Sequence, residues 1–289
     1  MNIRHIAKLC ALALASIAAA CGPNLSGLEE GEQGKVAEIR DGDTLVLDNG
    51  LRVTLTGIEA PFGNEPYAAE ARAALEELAM GRPARLAYGG LRRQPARTRP
   101  TLAPASADAA TPEEQSSETA LAQVFVQSEG GRWIWLQQAM IQRGAAWARP
   151  RKENMARLDE LMATEKQARD DRAGLWALAD YRVRTVQQME QETLPEARCG
   201  RGPFRMVEGI VTDVAHVRHD DGGESIYLNF GPDYRTDFTV AIYSDDAAAW
   251  SGAPLDSFEG KKIVARGRAI ARGGPLICAD NAMQIALAD

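Results

Sequence analysis

The sequence predicts a mixed α+β protein built from two β-rich units, and three observations support this fold class. The segments "KVAEI", "TLVLDN" and "LRVTLTGI" alternate polar and apolar residues between turn signals, which is typical of a curved antiparallel sheet. Two later stretches of the same unit repeat apolar residues at helical spacing. From Phe204 onwards, about five further strand-like segments follow, which fit a small closed barrel of the OB type.

Length and composition allow one large domain or two small ones, because the chain has 289 residues of which 45% are hydrophobic. The formal net charge is −7. This charge argues against a strongly basic nucleic-acid-binding protein, although a local basic groove stays compatible with it.

The N-terminus has the pattern of a bacterial-type export signal. Arg4 and Lys8 precede the apolar stretch Leu9–Ala20, which is short for a permanent membrane span. The small residues before Cys21 resemble a lipoprotein signal, in which the cysteine is lipidated and becomes the new N-terminus. We therefore expect a lipoprotein anchored in the cell envelope, or a secreted protein if Cys21 is not lipidated.

Composition shifts divide the rest of the chain. Pro, Ala, Ser and Thr dominate one internal stretch, which predicts a long mobile loop, and a charged, Gln-rich stretch separates the two units. The expected organisation is a signal peptide over 1–21, a tether over 22–33, a first domain over 34–178 with a loop over 89–119, a connector over 179–200 and a second β domain over 201–289.

Three helices are expected in the first domain. The segment "EPYAAEARAALEELAMG" has apolar residues at helical spacing, with Gly81 placed to end the helix. A short helix is predicted at "LQQAMIQRG". A longer one is predicted at "KENMARLDELMATEKQARDDRAG", where Met155, Leu158, Leu161 and Ala168 share an apolar face.

Two cysteines remain once the signal and Cys21 are set aside. Cys199 and Cys278 are expected to pair in an oxidising envelope compartment, with Cys278 on the last strand of the second barrel. Two unpaired buried thiols are the alternative. The absence of a Cys-x-x-Cys motif or a Cys/His cluster in the sequence argues against zinc.

An acidic turn opens the first domain. In "IRDGDTLVLDNG", Asp41 and Asp43 flank Gly42 immediately before a strand. The residues alone fit a solvated turn, because Asp and Gly are common turn formers. They also fit a site for a hard cation such as Ca²⁺, because paired carboxylates on a tight turn are suitable ligands for it.

Residues 34–178 resemble the staphylococcal nuclease (thermonuclease) family. The order and spacing of six segments carry the resemblance, and only the 89–119 stretch interrupts it; the segments are "IRDGDTLVL", "VTLTGIEAP", "YAAEARAALEEL", "LAQVFV", "LQQAMIQRGAAWA" and "ARDDRAGLWA". The resemblance implies a five-stranded OB-type barrel with three helices, and an activity on nucleic acid.

The resemblance also implies a Ca²⁺ site at the acidic turn. Asp43 would be a direct ligand, Asp41 would support the loop, and the carbonyl of Ala60 would supply a third oxygen. Glu59 stands where the family usually has Asp. We expect the three carboxylates to lie at one end of the barrel without arginines nearby, and to bind Ca²⁺ weakly.

The catalytic positions depart from the family. Phe62 stands where the family has the Glu that activates or orients water, and Thr54 and Thr119 stand where it has two arginines. Those arginines neutralise charge on the phosphoryl oxygens, so their loss predicts a large loss of catalysis. Substitutes are conceivable in this chain: Glu65 for the base, and Arg52, Arg92, Arg93, Arg97 or Arg99 for the guanidiniums.

Two functions therefore stay open. The first is a catalytically degenerate relative that keeps Ca²⁺ or nucleic-acid binding, alone or with an unknown protein partner. The second is an active Ca²⁺-dependent phosphodiesterase acting on DNA or RNA.

In the second barrel, a group of aromatic residues either stacks on bases beside Arg235 or fills the core: Tyr227, Phe230, Tyr234 and Phe238.

Overall fold

A computed structural model describes residues 22–95, 118–243, 250 and 255–288. The expected signal peptide, Cys21 and most of the expected 89–119 loop lie outside these residues. Nothing in the described segments forms a helix that is both long enough and apolar enough to span a membrane.

The first domain contains nine strands and three helices among the described residues. The strands are β1 (Glu29–Asp41), β2 (Thr44–Leu47), β3 (Arg52–Leu55), β4 (Ile58–Glu59), β5 (Pro83–Tyr88), β6 (Arg93–Pro95), β7 (Glu118–Gln127), β8 (Trp133–Trp135) and β9 (Trp147–Ala148). The helices are α1 (Ala68–Ala79), α2 (Leu136–Gln142) and α3 (Leu158–Asp170).

Five of these strands close into a barrel. Its order is β1-β2-β3-β7-β5, and β5 pairs with β1 to complete the ring. The pairing of β3 with β7 is parallel, and the other pairings in the ring are antiparallel. The predicted OB-type barrel with three helices is therefore confirmed.

Local sequence explains most element boundaries in this domain. Val53 and Leu55 are buried while the alternate residues of β3 are half-buried, as a strand on a barrel wall requires. Gly81 has φ of +71°, a left-handed conformation that ends the turn after α1 at little steric cost to glycine. Helix α3 is shorter than expected, because it begins at Leu158 and leaves Met155 before it, 41% exposed.

Both ends of the stretch predicted as a loop over 89–119 contain strand residues. Residues Arg93–Pro95 form β6, which pairs with β7 through Glu118, Thr119 and Ala120. This strand has only three residues and ends in proline, so a sequence pattern does not reveal it.

Within the described part of residues 183–288, the second unit contains eight strands and one short helix. The strands are β10 (Val183–Thr185), β11 (Phe204–Ile210), β12 (Asp213–Arg218), β13 (Glu224–Asn229), β14 (Thr239–Ile242), β15 (Lys262–Arg272), β16 (Gly274–Cys278) and β17 (Ile285–Leu287), and the helix is α4 (Val186–Glu190). Strand β10 and helix α4 lie within the stretch expected to be a connector.

The second unit repeats the strand order of the first barrel. The ladder runs β11-β15-β16-β14-β13-β12, and β14 pairs with β16 in parallel. Only two residues separate β11 from β12, so they are halves of one bent strand on which the ring closes. This is the OB strand order, with one parallel pair between the third and last strands.

The phenylalanines of the second barrel fill its core. Phe230 is 7% exposed and Phe238 is fully buried, with their ring centroids 4.9 Å apart. Tyr234 is 61% exposed and lies under the guanidinium of Arg235. The core-filling interpretation therefore holds for the two phenylalanines.

A disulfide joins the segment before β11 to the barrel. Cys199 and Cys278 are bonded, with their Cα atoms 5.6 Å apart and a sequence separation of 79 residues. Cys278 ends β16, which is the last strand of the second barrel's ring; β17 follows in the chain but lies off the ring and pairs with β15.

Replacing Cys199 and Cys278 by Ser should lower the free energy of unfolding by about 4 kcal/mol, because a cross-link of this span restricts the unfolded chain. Urea denaturation of the wild-type protein and of the double variant measures the difference. Alkylation of the unreduced, denatured wild-type protein should find neither thiol free. Modification of both thiols would contradict the bond.

Candidate functional site

The acidic turn is a tight, buried structure between β1 and β2. The backbone N–H of Asp43 donates to Oδ1 of Asp41 at 3.0 Å. Gly42 has no room for a side chain, since a Cβ atom there would lie 2.6 Å from Cβ of Ala60 and 2.9 Å from Cβ of Ala71. Asp41 therefore supports the turn, and Gly42 lets the turn pack against the chain that follows β4 and against α1.

Asp43 is fully buried, and groups of the protein donate to both of its carboxylate oxygens. The backbone N–H of Ala60 donates to Oδ2 at 3.0 Å, and the hydroxyl of Thr44 donates to Oδ1 at 3.0 Å. A buried carboxylate needs such donors to replace water. Asp43 thus ties the turn to the segment after β4.

Glu59 is held by two arginines. It is 4% exposed at the end of β4, and its Oε1 accepts from Nε of Arg268 at 3.0 Å. Nη1 of Arg149 lies 2.5 Å from its Oε2. The charge of this carboxylate is compensated by guanidiniums that come from both units of the molecule.

Arg268 also binds Glu65. Its Nη1 and Nη2 both contact the Glu65 carboxylate, the second at 3.3 Å, and the backbone N–H of Phe62 donates to Oε2 of Glu65 at 3.1 Å. The guanidinium carbon of Arg268 lies 4.7 Å from the centre of the Phe62 ring, a cation–π distance. We call Glu59, Glu65, Arg149 and Arg268 the Arg268 cluster.

The second barrel supplies Arg268 from β15. The side chain is buried, and its Nη1 also donates to the carbonyl of Gly202 at 2.6 Å. Burial alone would lower the pKa of Arg268, but the carboxylates of Glu59 and Glu65 outweigh it and raise the pKa above its usual value. Arg268 is therefore a fixed cation inside the protein.

A second buried ion pair lies two residues away on the same strand. Arg266 donates to both oxygens of Glu165 on α3, at 2.8 Å and 2.6 Å, and to the carbonyl of Ala148 at 2.8 Å. The N–H of Ala148 donates to Glu165 at 2.7 Å, which closes the network. Strand β15 therefore binds the first domain through two buried arginines.

Aromatic packing covers these ion pairs. Trp147 of the first domain stacks on Phe204 of the second barrel with ring centroids 4.5 Å apart. Trp147, Phe204 and Met206 belong to one buried apolar cluster that spans both units. Exclusion of water strengthens the charge pairs beside it.

Sequence reasoning missed Arg149, Arg266 and Arg268, and the expectation that the carboxylates lie without arginines nearby is wrong for Glu59. The signal was present in "IVARGRAI". There, two arginines at alternate positions of an otherwise apolar strand share one face. Buried guanidiniums require acidic partners, so this spacing predicts two carboxylates on a facing surface.

A family model described as Staphylococcal nuclease homologue matches residues 52–178. The chain carries a staphylococcal nuclease-like domain. The matched range includes Glu59, Phe62 and Thr119, begins after Asp41 and Asp43, and ends before the second barrel. No curated protein matches the chain.

At the two positions where the resemblance leads us to expect arginines, the nuclease-like domain has threonines. Oγ1 of Thr54 lies 3.5 Å from Oγ1 of Thr44, which itself donates to Asp43. Thr119 is 3% exposed and pairs with Gln94 of β6. Neither of these positions therefore supplies a positive charge.

The proposed substitutes are mostly engaged elsewhere. Glu65 belongs to the Arg268 cluster, and Arg92 and Arg93 bind Glu29 and Glu32. Arg52 is half-buried on β3, on the same face as Thr54. Two further candidates, Arg97 and Arg99, lie outside the described residues.

The family is generally Ca²⁺-dependent, so the fit of these residues to a metal matters. No group of three potential His, Cys, Asp or Glu ligands lies close enough to hold a metal ion within the described residues. Asp43 receives two hydrogen bonds from the protein, and Glu59 binds two guanidiniums. In this arrangement the side chains do not fit the Ca²⁺ site that the family implies.

Replacing Arg268 by Met should lower the free energy of unfolding by about 3–5 kcal/mol, because it leaves Glu59 and Glu65 without a shared buried counter-charge. Chemical denaturation of the two proteins measures this change. Adding Glu59→Gln and Glu65→Gln should recover part of the loss, since the variant then buries fewer uncompensated charges.

Arg143→Met is the matched control for this experiment. Arg143 also forms a bidentate pair, at 3.0 Å to each oxygen of Glu77, but on the exposed surface. Solvent screening makes such a pair weak, so its removal should leave the denaturation midpoint nearly unchanged. Equal effects of Arg143→Met and Arg268→Met would contradict the structural role of the Arg268 cluster.

Proposed function

We propose that the chain is an envelope lipoprotein whose nuclease-like domain binds nucleic acid without hydrolysing it. The observation that supports this most is the Arg268 cluster. Glu59 and Glu65, the acids nearest the family's metal and base positions, are used as ion-pair partners of the second barrel. In this role they hold two units together and are not arranged around a phosphodiester.

The chemistry of phosphodiester cleavage supports the same view. Charge accumulates on the phosphoryl oxygens in the transition state, and one preorganised donor is commonly worth about 10²–10³ in rate. Thr54 and Thr119 carry no charge, and Phe62 carries no group able to activate water. The missing charges at Thr54 and Thr119 and the missing base at Phe62 support a domain without phosphodiesterase activity.

Ca²⁺ binding, if retained, should be weak. Asp43 would exchange hydrogen bonds from Ala60 and Thr44 for the ion, and Glu59 would first have to leave Arg149 and Arg268.

The relationship to nucleases makes nucleic acid the ligand class that we propose for this domain. An active Ca²⁺-dependent phosphodiesterase is the second candidate, supported by the family relationship and by the presence of Asp41, Asp43 and Glu59.

Purified protein comprising residues 22–289 should cleave single- and double-stranded DNA and RNA no faster with Ca²⁺ than with a chelator. Fluorescent oligonucleotide substrates measure the rate, and fluorescence anisotropy in chelator measures binding without cleavage. Rapid Ca²⁺-dependent cleavage that disappears in Asp43→Ala would establish the phosphodiesterase instead.

The combined variant Thr54→Arg, Phe62→Glu and Thr119→Arg is the positive arm of this assay. It restores the residue types that neutralise phosphoryl charge and activate water, so any residual activity should rise. Its melting temperature must be measured alongside, because a glutamate at position 62 would replace the ring that contacts Arg268.

The lipoprotein part of the proposal rests on the sequence around Cys21. Replacing Cys21 by Ala should move the protein from the membrane fraction to the soluble fraction, because the acyl chains attached at this cysteine supply the apolar anchor. Fractionation followed by immunoblotting measures the distribution. Cys10→Ala, within the same signal, is the control and should stay in the membrane fraction, and retention of Cys21→Ala there would argue against the anchor.

A further inference from the structure

The N-terminal segment 22–28 packs against the first domain, in the stretch where the sequence predicts a tether over 22–33. Strand β1 begins at Glu29. Leu25 and Leu28 pack against the buried core cluster of the domain. Leu28 fills the space above Gly89, where a Cβ atom would lie 2.8 Å from Cδ2 of Leu28. The free length of chain after Cys21 is therefore much shorter than that of an extended tether.

A fixed arginine holds the beginning of this segment. Nη1 of Arg157 donates to the carbonyl of Asn24 at 3.4 Å. Arg157 is itself bound to Glu160, with Nε–Oε1 and Nη2–Oε2 distances of 2.8 Å and 2.7 Å. Its guanidinium carbon lies 3.7 Å from the centre of the Trp135 ring. Because these contacts fix the guanidinium, Asn24 is held at the surface of the domain.

The reach of the free chain decides where a lipid on Cys21 would hold the protein. From Cys21 to Asn24 the chain advances by three residues, which span about 10 Å when fully extended. A free tether over 22–33 would reach about 40 Å. The polar layer of one leaflet is about 5–7 Å thick. Acyl chains on Cys21 therefore enter the hydrocarbon only when the surface of the domain lies close to the headgroups.

The surface next to Gly22 suits the headgroup layer. A Cβ atom on Gly22 would lie 3.6 Å from Nη1 of Arg85. The guanidinium carbon of Arg85 is 4.9 Å from the centre of the Trp133 ring, and Trp133 is half-buried. Tryptophan is enriched at the level of the headgroups, because its ring has an apolar body and a polar N–H.

Charge on this surface is close to balanced, so attraction to anionic lipid is not required. Nη1 of Arg85 lies 4.0 Å from Oε1 of Glu30, and Glu129 accompanies Arg132 in the turn before Trp133. Exposed pairs of this kind are weak and screened by salt. The length of the free chain and the ring of Trp133 therefore determine the contact, and zwitterionic lipid is the partner that they fit.

We propose that a membrane surface contacts the first domain at Arg85, Trp133 and the turn between β7 and β8. The nuclease-like barrel then lies directly on the lipid headgroups. This inference rests on the lipid anchor of the proposed function, and it adds the face of the protein that meets the membrane.

Protein comprising residues 21–289 tests this face when it is coupled through Cys21 to a maleimide-bearing phospholipid in phosphatidylcholine vesicles. Cys21 is the free thiol of this chain, because Cys199 and Cys278 are bonded to each other. Vesicles whose headgroups carry a nitroxide quench the fluorescence of nearby tryptophan. Trp133 is one of five tryptophans and the other four are buried, so the coupled protein should lose about one fifth of its tryptophan emission to the nitroxide.

Trp133→Phe identifies the face that is quenched. The nitroxide should remove little emission from this variant, because the remaining tryptophans lie inside the protein. A loss of the same size in folded Trp133→Phe would place another face on the membrane and would overturn the proposal.

A Gly/Ser insert of about 20 residues between Gly22 and Pro23 is the matched control, because its random-coil span of about 25 Å lets the domain leave the headgroups. The insert keeps Trp133 and the packed segment unchanged, so this arm stays decisive if Trp133→Phe fails to fold. The nitroxide should leave its emission unchanged, since one half-buried ring offers too little apolar area to bind lipid by itself. Equal quenching with and without the insert, or no quenching of the wild-type chain, would contradict the proposed contact.

The chemical coupling separates this test from the test of the lipoprotein proposal. The maleimide lipid supplies the anchor, so retention of Cys21→Ala in the membrane fraction of cells would count against the natural anchor and not against the quenching result. Absence of quenching in the coupled wild-type chain would count against the membrane face and not against lipidation of Cys21.

Discussion

The buried interaction of Arg268 with Glu59 and Glu65 is the constraint on which the rest of the molecule depends. Removing three charges from water is expensive, and such a group is tolerated only when geometry and additional hydrogen bonds offset the desolvation. Here the two acids come from the nuclease-like domain, the guanidinium comes from β15 of the second barrel, and the carbonyl of Gly202 accepts a further hydrogen bond. If the two units separated, Arg268 on one unit and Glu59 and Glu65 on the other would lose their charge partners. The relative position of the two barrels therefore depends on this one interaction.

The second pair extends this constraint along the strand. Arg266 and Arg268 lie on the same face of β15, and each takes its carboxylates from the first domain. A strand is stiff over two residues, so fixing one arginine positions the other. Trp147 and Phe204 then exclude water from the region between the pairs. Two OB barrels with the same strand order are in this way joined by specific charge pairs. These pairs fix the position of β15 relative to the first domain and also hold the two units together.

The sequence predicts the barrels well and their contact poorly, for a physical reason. Alternation and turn chemistry are local, so strands such as β2, β3 and β7 could be recognised from a few residues each. The order of motifs was enough to assign the OB-type fold to the first domain. Arg268 is 209 residues from Glu59 in the chain, and no local pattern specifies which acid a buried arginine meets. Strand β10 was missed for a related reason, since three residues paired in parallel with β11 carry almost no periodicity.

Two of the expected departures from the family's motif, at positions 59 and 62, lie at this interface. Glu59 is one methylene longer than the aspartate usual at its position, and it extends to Arg149 and Arg268 from the end of β4. Phe62 replaces a carboxylate with an aromatic face on which the Arg268 guanidinium rests, and its N–H orients Glu65 towards the same guanidinium. A charged residue at position 62 would place another carboxylate in a cluster whose charges are already matched. Glu59, Phe62 and Arg268 therefore serve a single buried contact. Under the function proposed above, the residues at positions 59 and 62 are used for the contact between the two units.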